Sequence, residues 1–492
     1  MNRVIPVDFS DVQGLAAFGY AKLAQARFLL LAIRDAAAAR AWIAAAPVSN
    51  SEYRNPPPAT ALQLTFTPAG LRALGVPEAA MAGFSTEFLS GMAGEESRSR
   101  RLGDIGNNDP RRWSWGGPKY DISLVAMFYA KQDLDSWIAA NQNGPWSQAF
   151  EVAATLDTSD MGGREPFGFV DGISQPEFDW KRERAIPGTT VSYANKVALG
   201  ELLLGYPDEY GKYTDRPLLD AASDTENDLS PAEDQPSRKD LGRNGSYLVL
   251  RQLDQDVRGF WQYLNREASA DPDARYRLGA CMVGRNLDGE PLIPAQNDNN
   301  TFTYDADPEG TQCPFGAHIR RANPRNADLF GHPGGLIHQT ASRLGIPRPG
   351  LHDDLIASTR FHRVLRRGRE YGAKVSPEDA LQPASAGDSP CGLHFVCLCA
   401  NIGRQFEFVQ NAWLMRTKFN GLTGESDPLL GNRQTEGDSP TDDFSIPREN
   451  RVARRLRGVP QFITVRGGAY LFLPSLRALR YLAHLGNGGN SR

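Results

Sequence analysis

Four times along the chain an apolar run ends on a polar or basic residue, and an aspartate near the junction then opens an amphipathic segment. The runs Arg27–Arg34, Ile122–Lys131, Tyr247–Leu253 and Leu393–Ala400 are each dense in branched and aromatic residues and read as strands. After the first three, Asp35, Asp133 and Asp254 stand where an N-cap accepts from the free amides of a first helical turn. The helices that follow carry Trp42, Trp137 and Trp261, with apolar positions three and four apart giving each one buried stripe. After the fourth run, a helix is expected from about Ile402, carrying Phe406, Val409 and Trp413.

Two strand–helix units in each half suggest a duplicated α+β domain. The expected fold is two ferredoxin-like domains, each an antiparallel sheet with peripheral helices. Strand–helix units are common, so chance repetition is the competing explanation. Asp208–Asn244 breaks the pattern. It holds Asp220, Asp224, Glu226, Asp228, Glu233 and Asp234 with few large apolar residues. It reads as a polar linker or insertion with solvated acidic faces, dividing the chain into 1–207, 208–244 and 245–492. The tracts Glu370–Gly392 and Asn420–Asn450 are long enough to be lids or binding loops.

Composition narrows the class. With 54 basic and 58 acidic residues the net charge is −4, which lacks the basic excess of a nucleic-acid binder. No run reaches the roughly 18–20 apolar residues of a membrane span. Met1–Ser10 has neither a basic-then-apolar leader pattern nor a twin arginine. Five cysteines form a poor disulfide framework. A cytoplasmic location is therefore expected, with no nucleic acid and no membrane as partner; oligomeric state is left open. Cys397 and Cys399 share one strand face, either as buried thiols or as a metal pair.

None of the seven histidines (His318, His332, His338, His352, His362, His394 and His484) makes a zinc spacing with another. Nucleophile-elbow, phosphate-loop and dinucleotide signatures are also missing. Two segments stand out instead. In Glu165–Pro176, after the opening Glu165, a lone acid, Asp171, sits among apolar residues between Gly168 and Gly172. The run reads either as an Asp-Gly turn or as backbone that lets a flat ligand approach. In Cys313–Arg325, His318 follows Gly316 and Ala317 and precedes Arg320, Arg321 and Arg325. An imidazole so placed can ligate a planar cofactor whose carboxylates the arginines hold, or it can be one histidine on a basic loop.

Taken in order, these segments resemble the dye-decolorizing (DyP-type) haem peroxidases. Gly168-Phe169-Val170-Asp171-Gly172 matches that family's G-x-x-D-G signature, and Cys313–Arg325 resembles its proximal-histidine stretch. Arg366 to Tyr371-Gly372 resembles its distal-arginine stretch. Gly392-Leu393-His394-Phe395 and Arg404–Gln410 resemble its last core strand and helix. The likeness runs from Asp11–Gly14 to Tyr470–Phe472. It implies haem b, one per chain, between or beside the two domains. It implies His318 as axial iron ligand, Asp171 as acid–base residue and Arg366 as charge stabiliser. Arg320, Asn323 and Arg325 fall where propionates bind, Leu393 and Phe395 where apolar residues line the pocket, and Asp427 where a carboxylate partners the proximal imidazole. The implied activity is reduction of hydrogen peroxide with one-electron oxidation of bulky dye-like or phenolic aromatics. Two alternatives are a haem-handling protein with minor turnover and a cofactor-free acid hydrolase using Asp171.

Overall fold

The computed structural model describes residues 6–183, 196–295, 299–325, 359–384 and 389–486. His332, His338 and His352 lie outside these residues, as do Met1–Ile5 and the last six positions.

The apolar runs become strands of one sheet. In the first half these are β1 (Gln25–Ile33), β2 (Thr60–Phe66), β3 (Leu124–Ala130) and β4 (Phe150–Asp157). In the second they are β5 (Ser246–Gln255), β6 (Leu365–Arg366), β7 (Arg369–Tyr371), β8 (Gly392–Cys399) and β9 (Ile463–Leu473). The first half runs β4-β1-β3-β2 and the second β9-β5-β8, with β6 and β7 both paired to the outer edge of β8. Taking β6 and β7 as one broken strand, both halves have the order 4-1-3-2 within themselves. That is the ferredoxin-like order, so the duplication is visible in topology. The halves join edge to edge through the pair Phe472–Phe66, giving a nine-stranded sheet among the described residues.

Helix α1 (Ala36–Ala45) is capped by Asp35, which accepts from Ala38 N, and it buries Trp42 and Ile43 on the sheet. After β3, Asp133 occupies the N-cap in left-handed conformation without a side-chain cap bond, leading into α2 (Leu134–Asn141). The cap of α3 (Val257–Glu267) is Asp256, which accepts from Gly259 N, and not Asp254. Asp254 is still strand: it pairs with Gly392 on one side and Thr464 on the other, and two neighbours hold the backbone extended for one more pleat. Trp261 on α3 is fully buried. After β8 the helix expected from about Ile402 is present, wound as π-helix over Gly403–Glu407 and Val409–Met415. These wider turns carry Phe406, Val409 and Gln410 into the wall of the central cavity.

Residues 208–244 are folded. Leu218–Asp220 pairs with Arg238–Asp240, and buried Arg216 is held by Asp234 and by Asp240 at 2.6 Å. The expected solvated acidic strip is thus partly interior, with Asp224 and Asp240 buried. Cys397 and Cys399 are buried thiols. Among the described residues no helix is long and apolar enough to cross a membrane.

Candidate active site

Asp171 sits on a turn that only glycine permits at both flanks. Gly168 has φ +102° and Gly172 φ +81°, left-handed values that a side chain strains. Arg164 fixes the turn, its Nη1 donating to the carbonyls of Gly168 at 2.7 Å and Leu287 at 2.6 Å. Val170 N donates to Leu287 O and Asp171 N to Gly163 O. Asp171 is thereby aimed at a cavity between the halves, whose wall also includes His318, Arg366, Leu393 and Phe395.

Arg366 enters from β6, paired through Cys397 to β8. Its Nη1 donates to Asp171 Oδ1 at 2.8 Å. Gln175 grips the Arg366 backbone from both sides, accepting from its N–H and donating to its C=O, each at 3.1 Å. Gln175 was missed as a site residue, although it lies in the run that singled out Asp171. Burial alone would raise the Asp171 pKa, but the charge and hydrogen bond of Arg366 outweigh it and hold the carboxyl below its ordinary range.

His318 opens a short helix, α4 (His318–Ala322). Its Nδ1 lies 3.0 Å from Asp427 Oδ2. The other carboxylate oxygen accepts from Leu429 N at 2.9 Å and Leu430 N at 2.8 Å. With Nδ1–H donated to a carboxylate, Nε2 carries the free lone pair, the arrangement of a metal-ligating imidazole. Burial opposes the charge on Asp427, but His318 and Arg321 together keep its pKa below the usual value. The segment carrying Asp427 is tied down by two further arginines. Arg321 donates to the carbonyls of Trp413 at 2.8 Å and Glu425 at 3.0 Å. Arg433 Nη1 donates to Ser426 Oγ and Asp427 O, each at 3.0 Å. Arg321, grouped by sequence with the arginines that could hold a cofactor's carboxylates, instead braces this segment, and Arg433 carries no sequence signal.

The expected propionate group divides. Asn323 and Arg325 line the cavity, and Arg320 does not. Arg320 points into a side core, donating to Asp307 Oδ2 at 2.9 Å and Cys313 O at 2.6 Å, between the rings of Tyr304 and Phe315. Helical geometry accounts for Arg320, which lies about 200° around the helix from His318 and so faces away from the cavity, while Asn323 ends the helix and Arg325 lies beyond it, so neither is bound to its faces. Two arginines absent from the expectation join the wall, Arg285 and Arg363. Burial, then repulsion from Arg325 and Arg366, lowers both, to about 10 for Arg285 and about 9 for Arg363.

This end of the cavity fits an anionic, planar group. Both amide atoms of Asn323 are buried without a hydrogen-bond partner, and Arg285, Arg325, Arg363 and Arg366 crowd positive charge there. The remaining wall is largely apolar, with Phe169, Ile173, Leu393, Phe395, Phe406 and Leu429, and carries Asp104, Glu165, Arg251 and Gln255 among its polar members. An imidazole, apolar faces and a cationic edge are the donor set a dicarboxylate iron porphyrin needs.

No family model matches the chain. Among curated proteins it is 31% identical over 349 residues to the multifunctional dye peroxidase DyP2 of Amycolatopsis, covering 68% of this chain and 64% of that protein. It is 27% identical over 514 residues to the dye-decolorizing peroxidase msp1 of Mycetinis scorodonius, covering 96% of this chain and 87% of that one. In structure it resembles a dye-decolorizing peroxidase solved with 2,6-dimethoxyphenol, with a TM-score of 0.70 and 24% identity over 97% of this chain and 100% of the other. It also resembles the DyP-type peroxidase of Anabaena, with a TM-score of 0.68 and 23% identity over 96% of this chain and 94% of the other. Its sequence keeps pace with such proteins over nearly its whole length, and it folds as they do: the chain belongs to the dye-decolorizing peroxidase family.

Proposed function

We infer that this chain is a haem peroxidase that reduces hydrogen peroxide at the expense of an aromatic donor. The observation that carries the reading is the pairing of Asp171 with Arg366 in the wall of the cavity that also holds the Asp427-oriented His318. When bound, haem supplies an iron that collects electrons singly from donors and delivers them to the peroxide bond.

The residues' parts follow from their chemistry. His318 Nε2 would be the iron ligand, and Asp427 on Nδ1 fixes its tautomer and would strengthen its donation. Asn323 and Arg325 would hold the propionates, with Arg285 and Arg363 also in the cavity wall, and Leu393 and Phe395 would give the porphyrin apolar surface. Peroxide must lose a proton from one oxygen and gain one on the other before its bond breaks. Asp171, ionised because Arg366 depresses it, accepts the first proton and returns it to the departing oxygen. Arg366 places a fixed positive charge beside the negative charge that develops there.

The group is taken as haem b, one per chain, and the donor as a phenol or bulkier dye-like aromatic. A relative's complex with 2,6-dimethoxyphenol supports the phenolic class. The peroxidase names of the relatives favour turnover over haem handling. A cytoplasmic location is proposed on the five free cysteines, which cell fractionation tests. Purified protein should show a Soret band and oxidise 2,6-dimethoxyphenol only with peroxide. A haem-loaded protein without peroxide-dependent turnover would return the reading to haem handling.

A further inference from the structure

Glu165 has no part in the chemistry above, yet it is the most heavily bonded side chain of the Asp171 turn. Its Oε1 accepts from Phe169 N at 3.0 Å, and its Oε2 from Phe167 N at 3.0 Å and Gln255 Nε2 at 2.9 Å. Its main chain closes the same turn, Glu165 N donating to Phe169 O and Gly168 N to Glu165 O. Asp171 follows two residues later. Glu165 also belongs to two cavities at once: the one Asp171 faces, and a surface pocket with Arg277, Lys374 and Glu378 on its walls.

Its partner Gln255 is buried, and the Gln255 Oε1 has no hydrogen-bond partner. With Glu165 ionised, Gln255 must present its N–H. With Glu165 protonated, the amide turned over lets Oε1 accept the new O–H, and Nε2 takes the position where Oε1 had no partner.

We propose that Glu165 is a positioning residue for Asp171: as carboxylate it clamps the Glu165–Phe169 turn through three N–H donors, and on taking a proton from the surface pocket it loosens that clamp while Gln255 turns its amide over. The role as stated rests on Asp171 being the acid–base group. The step is one proton gained at Oε2 and one hydrogen bond reversed. Burial raises the Glu165 pKa to about 7 against the pull of its three donors, and Asp171 adds to the rise. Other titratable and charged groups around the two cavities it lines are Arg164 on its own turn, Asp104 and Arg251 in the central cavity, and Tyr276, Arg277, Asp288, Lys374 and Glu378 in the surface pocket.

Amide hydrogen exchange on the holoenzyme, read on the peptide spanning residues 165–171 and corrected for intrinsic rate, tests the clamp without peroxide. Wild type should exchange about tenfold faster below neutral pH than above it, the loss of one charge-assisted hydrogen bond. Glu165→Gln should remove that dependence and hold the faster rate throughout. Gln255→Leu should keep the step but move it to higher pH, because the carboxylate loses one donor. Wild-type exchange that stays flat across neutral pH overturns the proposal, whether or not Glu165→Gln folds. Stopped-flow mixing with peroxide then reports the link to Asp171: a step near pH 7 in wild type and none in Glu165→Gln. Flat exchange with normal peroxide reactivity sinks the clamp alone. A pH-dependent clamp with no peroxide reaction sinks the peroxidase reading alone.

Discussion

Arg366 Nη1 donates to Asp171 Oδ1 at 2.8 Å although the two residues are 195 positions apart and belong to different halves of the duplicated fold. Asp171 comes from the irregular chain after β4, and Arg366 from the edge of the second half's sheet. The pair forms only once both halves are folded and joined. The proposed acid–base group and its fixed cation are therefore a product of the interface, and Arg366 holds the Asp171 carboxyl below its ordinary range.

Asp171→Asn and Arg366→Leu should both retain haem, since neither ligates iron, and both should slow the peroxide-induced change in haem absorption. Losing a general acid–base group costs about 10²–10⁴-fold and losing a fixed charge donor roughly 10²–10³-fold. Their pH profiles differ. Asp171 works ionised, so the wild-type rate rises with pH through a carboxyl held below its ordinary 3.8. Arg366→Leu removes the main influence that lowers it, so the acid limb moves to higher pH. Asp171→Asn has no such limb. Stopped-flow rates across acidic pH decide it, and wild-type rates in both variants refute the assignment.

His318→Ala should lose most haem, read as the Soret-to-protein absorbance ratio. Asp427→Asn should keep haem, because an amide oxygen still accepts from Nδ1–H. It removes the negative charge behind the imidazole, however. A weakened outer partner of this kind typically costs about 10–100-fold in metal affinity or activity. The iron's reduction potential should rise, since the ligand donates less. An unchanged potential in Asp427→Asn would show that the 3.0 Å contact is orientational only.

Much of this was legible in the sequence, because strand runs, caps and glycine-flanked turns are local properties of the chain. The duplicated topology, the Asp171 turn and the proximity of Asp427 to His318 all correspond to residues that pattern or resemblance singles out. What was illegible depends on partners distant in sequence. Asp254 looks like a cap until β8 and β9 hold it in a strand. The π-turns after β8 carry no distinctive residue pattern. Arg285 and Arg363 reach the cavity from segments whose sequence shows only single basic residues or a surface-like cluster. Arg433 secures Asp427 through backbone and hydroxyl contacts that leave no motif.

Arg320 and Arg325 provide the test of how sequence proximity misleads. Both follow His318 within one basic run, and by position both are propionate candidates. Arg320 is 1% exposed and paired with Asp307, itself 2% exposed, in a side core away from the cavity. Removing one partner of a buried ion pair strands the other and costs about 3–5 kcal/mol. Arg325 instead lines the cavity, with Nη1 on Phe302 O at 2.9 Å and its guanidinium over the Phe302 ring. Arg320→Leu should therefore lower the unfolding midpoint sharply while the protein that folds binds haem with wild-type affinity. Arg325→Leu should change stability less and release haem faster to an apoglobin acceptor, because a propionate loses its cation. Denaturant unfolding and haem-transfer rates on the two variants separate the roles. The reverse outcome, with Arg320→Leu releasing haem at unchanged stability, would mean that this helix face turns inward when the cofactor binds.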